Sequence, residues 1–560
     1  MNRGLSFSHR RMVLFSLLLI AVVCFLSYSN TFHVPFQFDD SPNISEKPFV
    51  RDISMFFDPA RFSPDSVFIM RPVTYFTFAL NYWIHGTDVV GYHVFNLLIH
   101  ILNGFLVYFF VLLTFRTPYF TVTGPFPRVG DPSEERLRTC LPDRQASRMD
   151  KQDFISLFAA LLFASHPVQT QAVTYIVQRT ASMATMFFLL SLVMYIKWRL
   201  ITQESGVGKK VPKSVWPSAV WYLSSLFSAV LAMKTKEMAF TLPLVTALYE
   251  FLFFTGPVKK RLLFLVPFLL TMLIIPINLI SIGKPTGEII GDVSEATKVE
   301  TDIPRWNYLF TEFRVIITYI RLLFLPVNQN LDYDYPIFHS FFDPNVFLSF
   351  LFLSALFGTG VYLLYRSRIT PPYLQSPGKA TPMSSALAEE LRRSASPLDA
   401  GGGTERNDPG RGKKGISVKG EKDSLQREEE VPAVYFRLIA FGIFWFLVTL
   451  SVESSVIPIA DVIFEHRLYL PSIGFFISAA TGVSMVLKRA ANISKKWAKL
   501  AIGVLGLIIV ILSGATYARN ALWTDEVKLW EDVVKKSPLK VRPHSNLGHF
   551  YGMRGRFEEA

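Results

Sequence analysis

WNYLFTEFRVIITYIRLLFL, residues 306–325, is the stretch on which the fold turns. Its length and apolar content suit a membrane crossing, yet Arg314 and Arg321 lie within it, and a crossing here would invert everything that follows. Inversion would put the loop with Arg366, Arg368, Arg392, Arg393, Lys413 and Lys414 outside, against the bias of Lys and Arg towards the cytoplasmic side. The segment therefore reads as a helix lying on, or dipping into, the outer side. Phe68 to His85 reads the same way, because Arg71, Pro72 and Asn81 interrupt it.

Outward from that stretch, composition demands a bilayer. Of 560 residues, 50% are hydrophobic, 14% aromatic and 18% charged, and the mean hydropathy is +0.32. That is more apolar surface than a soluble core of this length hides. Candidate spans fall at 12–29, 92–114, 154–167, 181–197, 217–233, 237–254, 262–282, 344–365, 434–451, 470–487 and 500–517, about eleven by length and apolarity. With the N-terminus inside, the inner connections hold Arg116 to Lys151, then Lys197, Arg199, Lys209, Lys210 and Lys213, then Lys259, Lys260 and Arg261, then Lys488, Arg489, Lys495 and Lys496. Outer connections are acidic or near neutral, as with Glu288, Asp292, Glu295, Glu300 and Asp302. The net charge of +13 thus orients the chain and speaks against nucleic acid as a partner. Cys24 in the first apolar run and Cys140 in a basic loop form no disulfide framework. Met12 to Tyr28, behind His9-Arg10-Arg11, lacks a small-x-small cleavage site and reads as an uncleaved anchor.

The organisation expected is an all-α polytopic bundle over 1–369, with an outer loop at 30–91, interrupted by a linker at 370–432 and completed by the last spans at 433–518. The linker runs from Pro371-Pro372 through Gly401-Gly402-Gly403 to Glu428-Glu429-Glu430, too poor in apolar residues to order itself, and reads as disordered and cytoplasmic. Residues 519–560 change to soluble patterning. Leu522, Trp523, Val527, Trp530 and Val534 recur at three- and four-residue spacing, and Pro538 ends that helix. Ser545 to Ala560 then resembles the start of a tetratricopeptide repeat, an incomplete one, so that either the natural product is longer or this copy is truncated.

Chemistry-bearing residues gather on the outer side. Asp39 and Asp40 follow the first span behind Phe36 and Phe38, and like charge with partial burial raises a carboxylate towards the range of a general base; a helix cap or solvated loop is the plainer reading. Arg71, Asn81, His85, His93, Asn96 and His100 lie in or beside the second span, and polar groups there face a cavity or one another. His166-Pro167 with Gln169, Gln171 and Arg179 follows the third span, Lys236 and Glu237 lie between two spans, Asp332 and Asp334 follow the surface helix, and Glu465-His466-Arg467-Leu468-Tyr469 precedes another span. Arg467 suits phosphate oxygens through its fork of donors, or serves as an interfacial anchor. His85, His93 and His166 are not at metal-ligand spacing.

Taken together, Phe38-Asp39-Asp40, Arg71-Pro72, Asn81-Tyr82, Gly91-Tyr92-His93, Asn96 to His100, His166-Pro167, Lys236-Glu237 and His466 to Pro471 resemble the transmembrane and tetratricopeptide repeat-containing proteins, the bacterial members more closely. The resemblance implies a glycosyltransferase of GT-C fold, related to protein O-mannosyltransferases, that moves a mannose-like or other hexose from a polyprenyl-phosphate donor to a protein or glycan hydroxyl with inversion. Asp39 or Asp40 would be the base, Arg467, Arg71, Arg179 and Lys236 would bind the donor phosphate, and His93, His166, Glu237, Glu465, His466 and Tyr469 would complete the site. Gln171 and Gln169 stand where relatives carry an acidic residue and a His, which puts any catalytic or cation-holding role there in doubt. No cofactor is assigned, and a divalent cation is left open. The implied compartment is the bacterial inner membrane with a periplasmic site, or the endoplasmic reticulum with a lumenal one; the sequon Asn43-Ile44-Ser45 matters only in the second case. The repeats would present the acceptor, separably from donor binding. The competing readings are a membrane-anchored repeat scaffold without catalysis and a carrier of lipid-linked glycan.

Overall fold

The computed structural model describes residues 7–58, 71–122, 142–205, 216–281, 303–369, 419–455, 457–459 and 461–560. Residues 370–418 of the expected linker, the acidic outer connection around Glu288 to Asp302, Lys209, Lys210, Lys213, Cys140 and Phe68 lie outside them. The described chain is helical and holds no strand. Its longer helices are α1 (Phe7–Tyr28), α2 (Pro72–His85), α3 (Val89–Thr114), α4 (Pro142–Ser165), α5 (Arg179–Ser205), α6 (Trp216–Met233), α7 (Leu242–Phe253) and α8 (Val258–Thr271). They continue with α9 (Ile274–Ser281), α10 (Arg305–Phe324), α11 (Pro344–Ile369), α12 (Lys419–Leu450), α13 (Pro471–Ile493), α14 (Lys495–Ala521), α15 (Glu526–Lys536) and α16 (Val541–Met553). Helix α12 thus reaches back to Lys419, into the stretch assigned to the linker, while residues 433–450 form its apolar part.

Among the described residues eight helices are long and apolar enough to cross a membrane, fewer than the eleven spans expected. The other three expected spans are shorter: 152–165 and 218–233 as apolar helices, and 237–254 as a 3-10 turn, Glu237–Thr241, running into α7. At about 1.5 Å per residue their apolar parts fall short of a 30 Å hydrocarbon layer, although α4 as a whole, from Pro142, does not. They nevertheless run between the same two levels as the long ones. One level is marked by Glu250 of α7, which accepts hydrogen bonds from Arg199 of α5 and from Arg261 of α8, and by Arg437 of α12, which donates to the Leu252 carbonyl and to Ser367 of α11. The other level holds the Asp39 loop, the end of α4 at His166, the start of α5 at Arg179, the end of α6 at Lys234 to Lys236, and the 461–469 loop. Helix α4 packs against α3 and α13 in the interior, whereas α6 packs against α5 and leaves Val220, Leu223 and Phe227 exposed. The central helix α3 has 61% of its apolar window buried, whereas α14 has 11% and shows Leu500, Val510 and Ile511 outward, the face left for lipid. Helices α12 and α13 meet backbone to backbone at Gly442 and Gly474, where a Cβ on either would collide with the carbonyl of the other.

The stretch 306–325 forms one helix, and it is not among those apolar enough to cross a membrane. Helix α10 is amphipathic, burying Tyr308, Thr311, Glu312, Val315, Tyr319, Leu322 and Leu323 along one stripe. Near its two ends, Tyr308 donates to the Glu453 carbonyl at 2.9 Å and Tyr319 to the Phe464 carbonyl at 3.0 Å. Both acceptors belong to the Asp39 level, so α10 lies along that face and does not cross. Helix α2, 14 residues long, sits on the same face. At the C-terminus a 3-10 turn, Leu522–Thr524, precedes α15, whose N-cap Asp525 accepts from the Lys528 amide. The buried stripe there is Trp523, Val527, Leu529, Trp530 and Val533; Leu522 and Val534 are only half-buried, because the helix begins after the turn and is rotated from a register counted from residue 520.

Candidate active site

Behind α1 the chain turns at Phe38, whose φ of +49° is left-handed. A non-glycine residue there costs roughly 1–2 kcal/mol. The turn separates the two aspartates that follow. Asp40 is 1% exposed, and its carboxylate accepts the Gln37 amide at 2.9 Å and the Val177 amide at 2.7 Å. Burial pushes Asp40 up to about 8, the two amides opposing it and the charge of Asp39 adding to it. Its place is that of a clamp between the first loop and the turn before α5. Asp39 is half-buried, and its amide donates to the Tyr175 hydroxyl at 2.8 Å. Burial raises its carboxyl, the Tyr175 hydroxyl and the Arg542 charge lower it, and Asp461 and Asp332 raise it again.

Around Asp39 stands a cluster of ions. Asp332, fully buried, and Asp461 share Lys540 and Arg542. The Arg542 guanidinium reaches Asp332 through Nε at 2.6 Å and Asp461 through one terminal nitrogen at 3.1 Å and the other at 2.8 Å. Burial pushes Asp461 up, but the hydrogen bonds and charge of Arg542, with Lys540, outweigh it and hold the carboxyl below its ordinary value. No three His, Cys, Asp or Glu groups gather as metal ligands among the described residues.

A second cluster adjoins the first. Arg71, at the start of α2, forks onto Glu237 at 3.0 and 2.8 Å, and Lys236 pairs with Glu453 at 2.8 Å. Burial raises Glu237, but the Arg71 charge and hydrogen bonds prevail and hold it low. His466 faces Lys236, Arg467 and Arg71, whose charges add to burial in lowering its pKa, and its Nδ1 has no hydrogen-bond partner. Arg467 donates to the carbonyls of Val462 at 2.9 Å and Asp461 at 2.7 Å, and the charges of Glu453 and Glu312 act on it. Glu312, fully buried on α10, is pushed up to about 7 by burial, with Arg467 opposing. The clusters meet at Asp461 and along the chain Asp39 carbonyl, Asn43, Tyr75, the last four residues after Arg71. The Asn43 amide nitrogen donates to the Asp39 carbonyl at 2.9 Å and so helps shape this loop.

The remaining expected site residues lie elsewhere. Arg179 is fully buried, bonded to Asn96 at 2.7 Å and to the carbonyls of Tyr92 and Thr77, with Phe78 and Phe95 each 4.6 Å from its guanidinium carbon. It knots α2, α3 and α5 and has no carboxylate partner among its hydrogen bonds. His93 bonds the Val34 carbonyl at 2.8 Å. His166 caps its own turn, accepting the Val168 amide on Nδ1 and bonding the Leu323 carbonyl through Nε2. Glu465 accepts from the Asn330 amide, the Tyr333 hydroxyl and Gln329, each at 2.7 Å. The Tyr469 hydroxyl bonds His100 at 2.7 Å inside the bundle. Gln169 donates to Ser472, and Gln171 bridges the Asn330 carbonyl and the His466 amide, so both amides serve as ties between segments.

Tyr175, Glu312, Glu453, Asp461, Lys540 and Arg542 were not singled out from the sequence. Asp332 was noted only for following the surface helix. The available signal was charge alone: Lys540 and Arg542 bracket Val541 between Pro538 and Pro543, with nothing local to say what they face. The C-terminal pair is also no separable appendage, since α16 brings Arg542 to the Asp39 loop.

Comparison with known proteins gives relatives of one kind. The chain is 23% identical over 565 residues to protein O-mannosyl-transferase Tmtc3 of Drosophila melanogaster, covering 98% of this chain and 54% of that protein. It is 28% identical over 242 residues to protein O-mannosyl-transferase TMTC4 of Homo sapiens, covering 42% of this chain and 28% of that one. Against protein O-mannosyl-transferase tmtc2 of Xenopus laevis it is 24% identical over 520 residues, 88% of this chain and 54% of the relative. The chain thus spans about half the length of the Drosophila and Xenopus proteins. No protein-family model matches it, and no solved structure does. These three relatives come from animals, whereas the residues alone pointed to the bacterial members.

Proposed function

We propose that this chain, which belongs to the family of transmembrane protein O-mannosyltransferases, is a membrane glycosyltransferase that moves a hexose from a polyprenyl-phosphate donor to a protein hydroxyl. The observation that carries the reading is the contrast within the aspartate pair. Asp40 is bound up with two main-chain amides, and Asp39 is left half-buried beside Arg542, with the second cluster linked to its loop through Asn43 and Tyr75.

Asp39 takes the proton of the acceptor hydroxyl as its oxygen attacks the anomeric carbon. The bond from that carbon to the phosphate oxygen breaks, and its electron pair leaves on the lipid phosphate, with inversion. Arg71 and Lys236 are the cations we assign to that phosphate, because their carboxylate partners hold them in place and Arg71 is one-third exposed. Arg467 and Arg179, occupied by carbonyls, are assigned to holding the loops that carry the site. The Asp39 face is assigned to the outer side of the membrane, periplasmic in a bacterium and lumenal in the endoplasmic reticulum.

The rival reading is a scaffold without catalysis, favoured by the fact that Arg71 and Lys236 already have internal partners. One assay separates the two: transfer of radiolabelled sugar from a panel of polyprenyl-phosphate sugars to peptide acceptors in proteoliposomes, comparing wild type with Asp39→Asn and Asp40→Asn. Transfer abolished by Asp39→Asn supports the enzyme and its base. Transfer equal in wild type and Asp39→Asn removes Asp39 from the mechanism, and no transfer from any donor by folded protein puts the scaffold first.

A further inference from the structure

The C-terminal helices reach the aspartate loop at three successive points. Gln37 donates its side-chain amide to the Trp523 carbonyl at 3.1 Å, just before α15. Phe38 meets the Trp530 ring of α15 edge to face at 5.6 Å, and the Arg542 guanidinium of α16 lies 5.1 Å from the centre of the same phenyl ring. Tyr175, which takes the Asp39 amide, closes on Phe38 from the other side at 6.4 Å. Phe38 is the residue in the left-handed conformation, and such a residue keeps its place only where its surroundings over-determine it. Two of its three ring partners come from α15 and α16.

Those helices are fixed in turn by the loops of the bundle. Arg542 and Lys540 bind Asp332 and Asp461, Lys536 donates to the Gln329 carbonyl at 2.7 Å, and the Ser537 hydroxyl bonds the Asp332 carbonyl at 2.8 Å and receives Asn330. Segments distant in sequence, 37–39, 329–334 and 461, are thus gathered on one short helix pair.

We infer that Arg542, seated on Phe38 and pinned by Asp332 and Asp461, is a positioning residue that holds the Phe38 turn and so sets Asp39. Its catalytic consequence rests on the proposed function; its structural consequence does not. Lys540 supplies the control, because it shares both aspartates while the stack on Phe38 belongs to Arg542.

The test uses the full chain in detergent and in proteoliposomes, with Arg542→Gln, Arg542→Lys and Lys540→Gln. Hydrogen exchange of a peptide covering residues 36–41 is expected to speed up tenfold or more in Arg542→Gln and to change less than twofold in Lys540→Gln. For transfer, Arg542→Gln is expected to lower kcat about tenfold with the donor KM unchanged, and Arg542→Lys to restore part of it. Exchange in Arg542→Gln equal to wild type overturns the inference. So does equal loosening in Lys540→Gln, which would mean general undocking of the pair. Should the exchange pattern hold while wild type transfers no sugar, the enzymatic reading fails and the structural one stands.

Discussion

Asp40 gives both carboxylate oxygens to main-chain amides, while Asp39 offers its amide to Tyr175 and turns towards Arg542. Substituting each aspartate should therefore produce different failures. Asp40→Asn replaces one acceptor oxygen with a donor facing an amide N–H, leaving a buried group unsatisfied at roughly 1–3 kcal/mol. It should lower the melting temperature in detergent, and any loss of transfer should follow from that. Asp39→Asn should leave the melting temperature unchanged and reduce transfer by about 10²–10⁴-fold, the range for removing a general base. Scanning calorimetry beside the transfer assay checks both, and a thermally fragile Asp39→Asn with normal turnover per folded molecule would reverse the assignment. That the two neighbours differ was not legible in the sequence, where both stand in the same Phe-Asp-Asp run. The difference comes from Phe38's left-handed turn and from Val177, a partner 137 residues away.

Helices were the legible part at the next scale, since apolar runs bounded by basic loops need no tertiary knowledge. Partners were not, because they depend on how helices rotate against one another. Lys236 and Glu237 are adjacent in sequence, yet Lys236 pairs with Glu453 and Glu237 with Arg71. The same holds at the opposite level, where Glu250 of α7 receives Arg199 of α5 through two bonds, at 2.9 and 2.8 Å, Arg261 of α8 at 3.2 Å and the Tyr195 hydroxyl at 3.1 Å. This one carboxylate ties three helices, α7 being one of the short ones that lipid alone would hold poorly. Glu250→Gln would leave two buried guanidinium groups without a counter-charge, a loss of about 3–5 kcal/mol for a broken buried pair. The variant should melt markedly lower and, at temperatures where it is folded, transfer sugar at the wild-type rate per molecule. A melting temperature equal to wild type would show that water reaches this cluster.

The whole molecule has two polar faces with different charge logic: one built on Arg199, Arg261 and Arg437 around Glu250, the other on aspartates and glutamates matched by cations drawn from across the chain. On the second face the C-terminal pair is held to the bundle partly by charge, which makes its docking sensitive to acid. Asp461 sits below its ordinary value of 3.8 when docked, because Arg542 and Lys540 outweigh burial. A group depressed in this way contributes stability that is present above 3.8 and is lost as pH falls through the lower, docked value. The contribution is modest, since Asp461 is 20% exposed and Arg542 36%. The apolar contacts of Trp523 and Trp530 do not titrate and remain. Acid should therefore loosen the pair before it unfolds the bundle: peptic cleavage within residues 526–560 should rise as pH falls below 3.8 while the spans stay protected. Asp461→Asn removes the same charge at neutral pH, so trypsin at pH 7 should cut that variant within the pair faster than wild type. Equal tryptic rates would mean that aromatic packing alone holds the helices, and the acid-induced cleavage would then have to come from the bundle itself.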